Sequence, residues 1–396
     1  MSGTAPRRPR GIALILGALA AIGPFSTDMY LPAFPAIGAA LGADAASVQR
    51  TLATYFFGLA LGQAFYGPLA DRFGRRAPLL GAMSLYTVVS IGCALATDIG
   101  ALTWLRFLQA LGACAGMVIA RAVVRDLTDE RGSVRLMAQL MAVMGIAPIV
   151  APTVGAAVVD ILGWRALFWM LGGYGALLVL IVLFLMPESL NPAFRRKDRL
   201  VAVLGVYLAL LRDRHFMANA LAGALPIAGM FAYISGASFV FMELHALSAG
   251  QFGIVFGVNA AGIILVSQLA ARLALRQAPE RVLPVTASVN AAAGLVLLAS
   301  AISGVGGVWG LAVPLFVFIA SLGSVLPLAT ALTMAPHGRV AGSASALLGT
   351  LQFGIGALCG AGLGVLHDGT ARPMALMMAL CACGGWAARR VLLRGR

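Results

Sequence analysis

Twelve long apolar runs, starting near residues 11, 48, 77, 101, 134, 165, 216, 249, 280, 308, 340 and 372, take up nearly all of this 396-residue chain. A helix rises about 1.5 Å per residue, so about 20 apolar residues cross the roughly 30 Å hydrocarbon layer of a bilayer. With 61% hydrophobic and 11% charged residues and a mean hydropathy of +0.94, the chain lacks the polar surface to cover a soluble globule. The expected fold class is therefore an all-α membrane protein of twelve transmembrane helices, with the lipid bilayer as its surroundings.

The formal charge of +14 would suit a nucleic-acid partner if the arginines gathered on one surface. They alternate instead. Twenty-four of the 28 Lys and Arg residues fall in the N-tail, in the links at 72–76, 121–135, 195–214, 272–281 and 339, and in the C-tail. Arg50, Arg165 and Arg372 lie at the opposite ends of spans, and Arg106 lies inside one. This is a positive-inside pattern, which places both termini in the cytoplasm and removes the case for nucleic acid. The first run is longer than a signal-peptide core and carries Pro24, Asp28 and Pro32, so it is expected to remain as a span. The longest polar link, Pro187 to His215, divides the spans six and six. It predicts a first half at 1–190, a cytoplasmic linker at 191–215 and a second half at 216–396.

Asp28 is the one acidic residue well inside a run, and Arg106 the one basic residue equally deep. A carboxylate there costs roughly 2.5 to 3.5 kcal/mol on insertion scales, so it needs a partner or an aqueous cavity. Read from the run boundaries, each sits about five residues, or 7 to 8 Å, below the outer boundary. Opposite charges at one depth fit either a static ion pair or a proton-coupling site. Gln109 follows Arg106 at i+3 on the same face. In the fifth run Pro148 and Pro152, four apart, predict a bend, with Gly155 close behind. The eleventh run holds Gly342, Gly349, Gly354, Gly356, Gly360, Gly362 and Gly364, spacings that suit either a tightly packed helix or a sliding one. Tyr30, Phe34, Trp104, Trp164 and Trp309 lie near run ends, where an interfacial aromatic belt is expected. The five cysteines all fall in apolar runs and read as packing residues.

The ten residues Gly67 to Arg76, Gly-Pro-Leu-Ala-Asp-Arg-Phe-Gly-Arg-Arg, resemble the loop between helices two and three of the major facilitator superfamily of secondary transporters. Arg106 to Gly112 resembles that family's fourth-helix motif, with Ala110 in place of a glycine. Ala151-Pro-Thr-Val-Gly-Ala156 resembles the fifth-helix motif of its antiporters, with alanines at two glycine positions. Together with Thr27 to Pro35, Ala120 to Asp126 and the eleventh run, these segments resemble the Bcr/CflA group of drug:proton antiporters. The resemblance implies two six-helix halves built from inverted repeats, and proton coupling through Arg106, for which Asp28 is the matching carboxylate. Tyr233, Asn259 and Gln352 lie on spans that border the cavity in that family, and with Asp28 and Gln109 they are the expected substrate contacts. It also implies a conformational switch comprising Gly67, Asp71, Arg72, Gly74, Arg75 and Arg76 with Pro148, Pro152 and Gly155, in which Asp71 approaches Gly342 to Ser345. The expected partners are amphipathic drug-like molecules and protons, with no cofactor beyond the proton gradient and a monomeric chain. No P-loop follows a glycine-rich turn, and no His-Glu-x-x-His, Gly-x-Ser-x-Gly or paired-aspartate arrangement marks an enzyme. The rival expectation is a proton-coupled importer or facilitator of a small metabolite.

Overall fold

The computed structural model describes residues 11–127, 136, 140, 147, 150–195, 200–274 and 277–393. Pro148 and most of the fifth run lie outside the described residues, as do residues 196–199 of the linker. Among the described residues the chain is helical, with no strand. Its helices are α1 (Ile12–Asp28), α2 (Phe34–Leu41), α3 (Ala45–Phe73), α4 (Arg76–Ala94), α5 (Ile99–Leu127), α6 (Val150–Leu162) and α7 (Trp164–Leu185), followed by α8 (Leu200–Arg212), α9 (Arg214–Ser238), α10 (Ala249–Ala274), α11 (Pro279–Ser303), α12 (Gly307–Met334), α13 (Ala341–Val365) and α14 (Arg372–Leu393). Among the described residues, ten segments are long and apolar enough to cross a membrane. The 29-residue α3 and the described part of the fifth run occupy the two remaining positions of the twelve.

The first span is not one helix. The sequence places its outer end five residues beyond Asp28, but α1 stops at Asp28 itself. The chain then passes through a 3-10 turn, Leu31–Ala33, and resumes as α2. Pro32 and Pro35 supply no backbone N–H and disfavour helical geometry in the residue before them, so the hydrogen-bond ladder cannot run through this stretch. The break is tolerated because it is buried in protein: Leu31 and Ala33 are fully covered, and the turn packs against α9.

Close helix approach is made by small residues, as expected where packing rather than the hydrophobic effect drives association in lipid. A methyl group at Gly116 on α5 would stand 2.4 Å from the carbonyl oxygen of Leu19 on α1. The glycine run of the eleventh span packs along α3 in antiparallel register. A methyl at Gly360 would lie 3.2 Å from the Cβ of Ala53, one at Gly349 would meet the Gln63 side chain, and one at Gly67 would lie 3.9 Å from the Cβ of Ala346. Gly356 makes room for the ring of Phe231 on α9. In this conformation the glycine stripe is a packing surface, one of the two readings that its spacing left open.

The basic links gather at one end of the bundle. There Asp213 caps α9, accepting from the backbone N–H groups of His215 (2.8 Å) and Phe216 (3.2 Å) and facing His337 Nε2 at 3.0 Å.

Candidate functional site

The end of α1 builds the site. A helix leaves its last four carbonyls without intrahelical donors. Here Met29 N–H donates to Phe25 and Tyr30 N–H turns back to Thr27, which leaves the Ser26 carbonyl free of a backbone donor. Arg106 of α5 takes it, donating from Nη2 at 2.9 Å. Its Nη1 donates to Gln109 Oε1 at 2.5 Å, and Gln109 Nε2 donates in turn to Ser90 Oγ at 2.7 Å. The guanidinium carbon lies 4.3 Å from the ring centroid of Tyr30, 4.2 Å from that of Tyr55 and 5.8 Å from that of Phe168. A desolvated cation over aromatic faces gains about 2 kcal/mol or more from ring quadrupoles. Tyr30 is fixed in turn by its hydroxyl, 2.7 Å from Thr51 Oγ1, and the Ser26 hydroxyl is 2.6 Å from that of Tyr86. Arg106 is fully buried, and its Nε has no hydrogen-bond partner.

Asp28 is 4% exposed and accepts a hydrogen bond from Thr27 Oγ1 at 2.9 Å. It shares a layer with Arg106, whose acceptor Ser26 is two residues away, but the two make no ion pair. The ion pairs among the described residues are Arg75 with Asp71, Arg75 with Asp126, and His337 with Asp213. The fork of Arg106 therefore holds a backbone carbonyl and an amide. The helix break supplies the reason, because it exposes a carbonyl nearer to Arg106 than the carboxylate that follows it. In the second half the buried Tyr233 of α9 accepts from Asn259 Nδ2 of α10 at 3.0 Å.

The substrate residues expected from the sequence thus divide. Tyr233 and Asn259 come together through one hydrogen bond, and Asp28 is buried at the end of α1. Gln109 is fully buried with both ends of its amide engaged in the Arg106 cage, and Gln352 is half-buried on α13 with no hydrogen bond among the described residues. Tyr30 and Phe34, expected in an interfacial belt, are buried instead, because the break turns them inward, and Trp164 is buried against Phe168; Trp104 and Trp309 are exposed as a belt requires. Tyr55, Ser26, Tyr86 and Ser90 were missed. A tyrosine or serine on an apolar helix gives no sign of which side chain it will meet. A further contact joins the helices across the interface: the ring of Phe231 lies tilted against Phe56 of α3, with centroids 4.3 Å apart, and stacks on Phe353 of α13 at 5.3 Å.

At the basic end, the loop expected to switch is cross-braced. Arg75 donates from Nη1 to Asp71 at 2.6 Å and from Nε to Asp126 at 2.8 Å, and Asp126 also accepts from Ser189 Oγ at 2.9 Å. Glu188 accepts from the backbone N–H groups of Arg75 (2.9 Å) and Arg76 (3.2 Å), an anion at the N-terminus of α4. Gly74, at φ +91°, lets this carboxylate approach where a methyl would stand 2.3 Å from Glu188 Oε2. Arg76 also bonds the Leu183 carbonyl, and the Arg72 guanidinium packs on Phe73. The Asp71 carboxylate is thus bonded to Arg75 and not to α13. The antiparallel register that sets Gly67 beside Ala346 nevertheless brings Asp71, one turn on, level with Gly342.

Gly155 on α6 meets the break in the first span: a methyl there would lie 2.4 Å from the Met29 carbonyl oxygen and 2.8 Å from its Cα. Pro152 lies one turn earlier on the same helix, and its neighbour Thr153 faces Gly253 of α10. Backbone cannot yield to such a contact as a flexible side chain can. Gly155→Ala is therefore expected to displace the turn that follows Asp28 and to cut the protein's activity at least about tenfold, the scale of a small misplacement of reacting groups. Membrane expression should be retained. Wild-type activity in Gly155→Ala would show that the turn tolerates movement.

The sequence profile of the Major Facilitator Superfamily matches residues 16–361. The MFS-type transporter YdgK of Bacillus subtilis is 36% identical over 379 residues, covering 94% of this chain and 93% of that protein. A bicyclomycin resistance protein homolog of Haemophilus influenzae is 30% identical over 370 residues, covering 93% and 92%. The multidrug resistance protein MdtL of Escherichia coli is 27% identical over 346 residues, covering 87% and 85%. Among solved structures, a D-xylose-proton symporter superposes with a TM-score of 0.74 at 14% identity, covering 97% of each chain, a likeness of fold alone.

Proposed function

Because this chain belongs to the major facilitator superfamily, we propose that it exports drug-like amphipathic molecules across a bacterial inner membrane in exchange for protons. Its two six-helix halves, 1–190 and 216–396, alternate access to a site between them. Relatives named for bicyclomycin and multidrug resistance favour export over the import of a metabolite. The coupling reading rests on one observation: a buried carboxylate, Asp28, ends the helix whose exposed carbonyl anchors the buried guanidinium of Arg106.

A carboxyl group holds its proton more tightly when taken out of water and less tightly when a cation approaches, so alternating these surroundings takes up and releases a proton. Asp28 is the proton carrier in this scheme. Arg106, held at fixed distance from Ser26, transmits any movement of the α1 end to the field at the carboxylate. Tyr233 and Asn259 present a hydroxyl and an amide from the other half, so that drug and proton compete for one layer. Each proton moving inward contributes about 2.3 kcal/mol per 100 mV of membrane potential. The test is drug-induced proton release from purified protein, wild type beside Asp28→Asn, with release lost in the variant.

The basic end faces the cytoplasm in this scheme, with both termini on that side. Reporters fused after Arg199 should give a cytoplasmic signal, and a periplasmic one would reverse the direction of transport drawn here.

Asp71 acts as a latch. As the halves rock, its carboxylate exchanges Arg75 for the N-terminus of α13 at Gly342 to Ser345, where an anion gains about 0.3 to 1 kcal/mol. Asp71→Asn is expected to lower export about two- to fivefold by shifting the population inward, at about 1.4 kcal/mol per factor of ten. Labelling of cysteines placed on the two faces of the interface reads the shift. Unchanged labelling would remove the latch.

A further inference from the structure

A cavity of about 230 Å³ lies at the end of the bundle opposite the basic one, between α2, the start of α3 and the π-helical segment Phe239–Leu244. It shares no residue with the Asp28 layer, from which the buried turn Leu31–Ala33 separates it. Phe34 and Val48 line it from α2 and α3 and Phe239 from the π-helical segment, so the wall is mixed, with apolar surface slightly in excess. Two polar side chains interrupt it. Gln49 is 2% exposed, and its Oε1 has no hydrogen-bond partner. Glu243 lines the opposite wall with a carboxylate that makes no ion pair among the described residues. His367 stands near Glu243 and makes an edge contact with Phe239, with centroids 4.5 Å apart.

We propose that this cavity binds a small protonated amine with an apolar body. A carboxylate and an orphaned amide oxygen are both acceptors, so a complementary ligand brings N–H donors, and the negative charge selects a cation. The flanking phenylalanines provide faces for the cation and cover for its apolar part. A quaternary ammonium would answer the charge of Glu243 but leave Gln49 without a donor. Primary and secondary amines answer both. The walls come from the first and last six helices together, so the ligand binds the arrangement in which these ends meet and shifts the population toward it. The proposal stands apart from the export reading, because binding to purified protein needs no gradient.

Calorimetry on the full-length protein in detergent tests it, with 1-naphthalenemethylamine as the probe and 1-naphthalenemethanol and the N,N,N-trimethyl derivative as comparisons. The amine should bind at least about tenfold more tightly than the alcohol, the scale of a charge-assisted hydrogen bond. Glu243→Gln should remove that preference. Gln49→Leu should weaken the primary amine and leave the trimethyl compound unchanged. Ala39→Trp, which covers the cavity mouth, should abolish binding of all three. Equal affinity for amine and alcohol, no binding of the amine at millimolar concentration, or undiminished amine affinity in Glu243→Gln would each overturn the proposal. Glu243→Gln is isosteric at an exposed position, so the decisive variant does not depend on the core.

Discussion

Asp28→Asn should reduce gradient-driven efflux to the level of cells without the transporter while the protein still reaches the membrane. The amide keeps the shape of the carboxyl group and can still accept the Thr27 hydroxyl at 2.9 Å, but it carries no titratable proton. A transporter coupled through this group loses its driving force and keeps its fold. Drug binding to the detergent-solubilised variant should fall far less than transport, because Tyr233 and Asn259 remain. The readout is proton release on drug addition, or drug accumulation in proteoliposomes under an imposed pH gradient. Full drug-coupled proton movement in Asp28→Asn would end the assignment and direct the search to Glu243 and Asp160.

Arg106→Lys should also fail, for a reason that charge alone does not give. The guanidinium makes two divergent hydrogen bonds, to the Ser26 carbonyl and to Gln109, while its plane faces Tyr30 and Tyr55. An ammonium is a point donor without that planar fork. Losing one hydrogen bond to a charged group costs about 1.5 to 3 kcal/mol, which corresponds to roughly ten- to a hundredfold where it falls on the transporting conformation. The end of α1 then loses its anchor to α5, and the charge that remains is no longer held at a fixed distance from Asp28. Efflux should drop by that factor, with a shift in its pH dependence relative to wild type. Arg106→Lys with wild-type efflux and an unchanged pH profile would show that positive charge alone is sufficient.

Asp28 and Arg106 were legible because ionisable residues inside apolar runs are scarce enough to stand out. The brace around the loop was legible only in part. Asp71, Gly74, Arg75 and Arg76 follow from one short motif, but Glu188, which caps α4, comes from a segment more than a hundred residues away. The fork of Arg106 could not be assigned either. Its true acceptor, the Ser26 carbonyl, carries no side-chain signature and exists only because the chain breaks two residues later.

The sequence by itself determined that this chain is a bundle of membrane-spanning helices, which end faces the basic links, and which buried charges need an explanation. Those properties follow from local composition: the length of an apolar run, the position of an arginine, the cost of a carboxylate in hydrocarbon. Tertiary structure decided what each group touches. It ended α1 at Asp28, turned Tyr30 inward beneath Arg106, placed Gly155 against Met29 and joined Phe56 to Phe231 and Phe353 across the interface. Such contacts depend on the rotation and register of helices distant in sequence, which are fixed by packing many small residues at once, so no single segment encodes them.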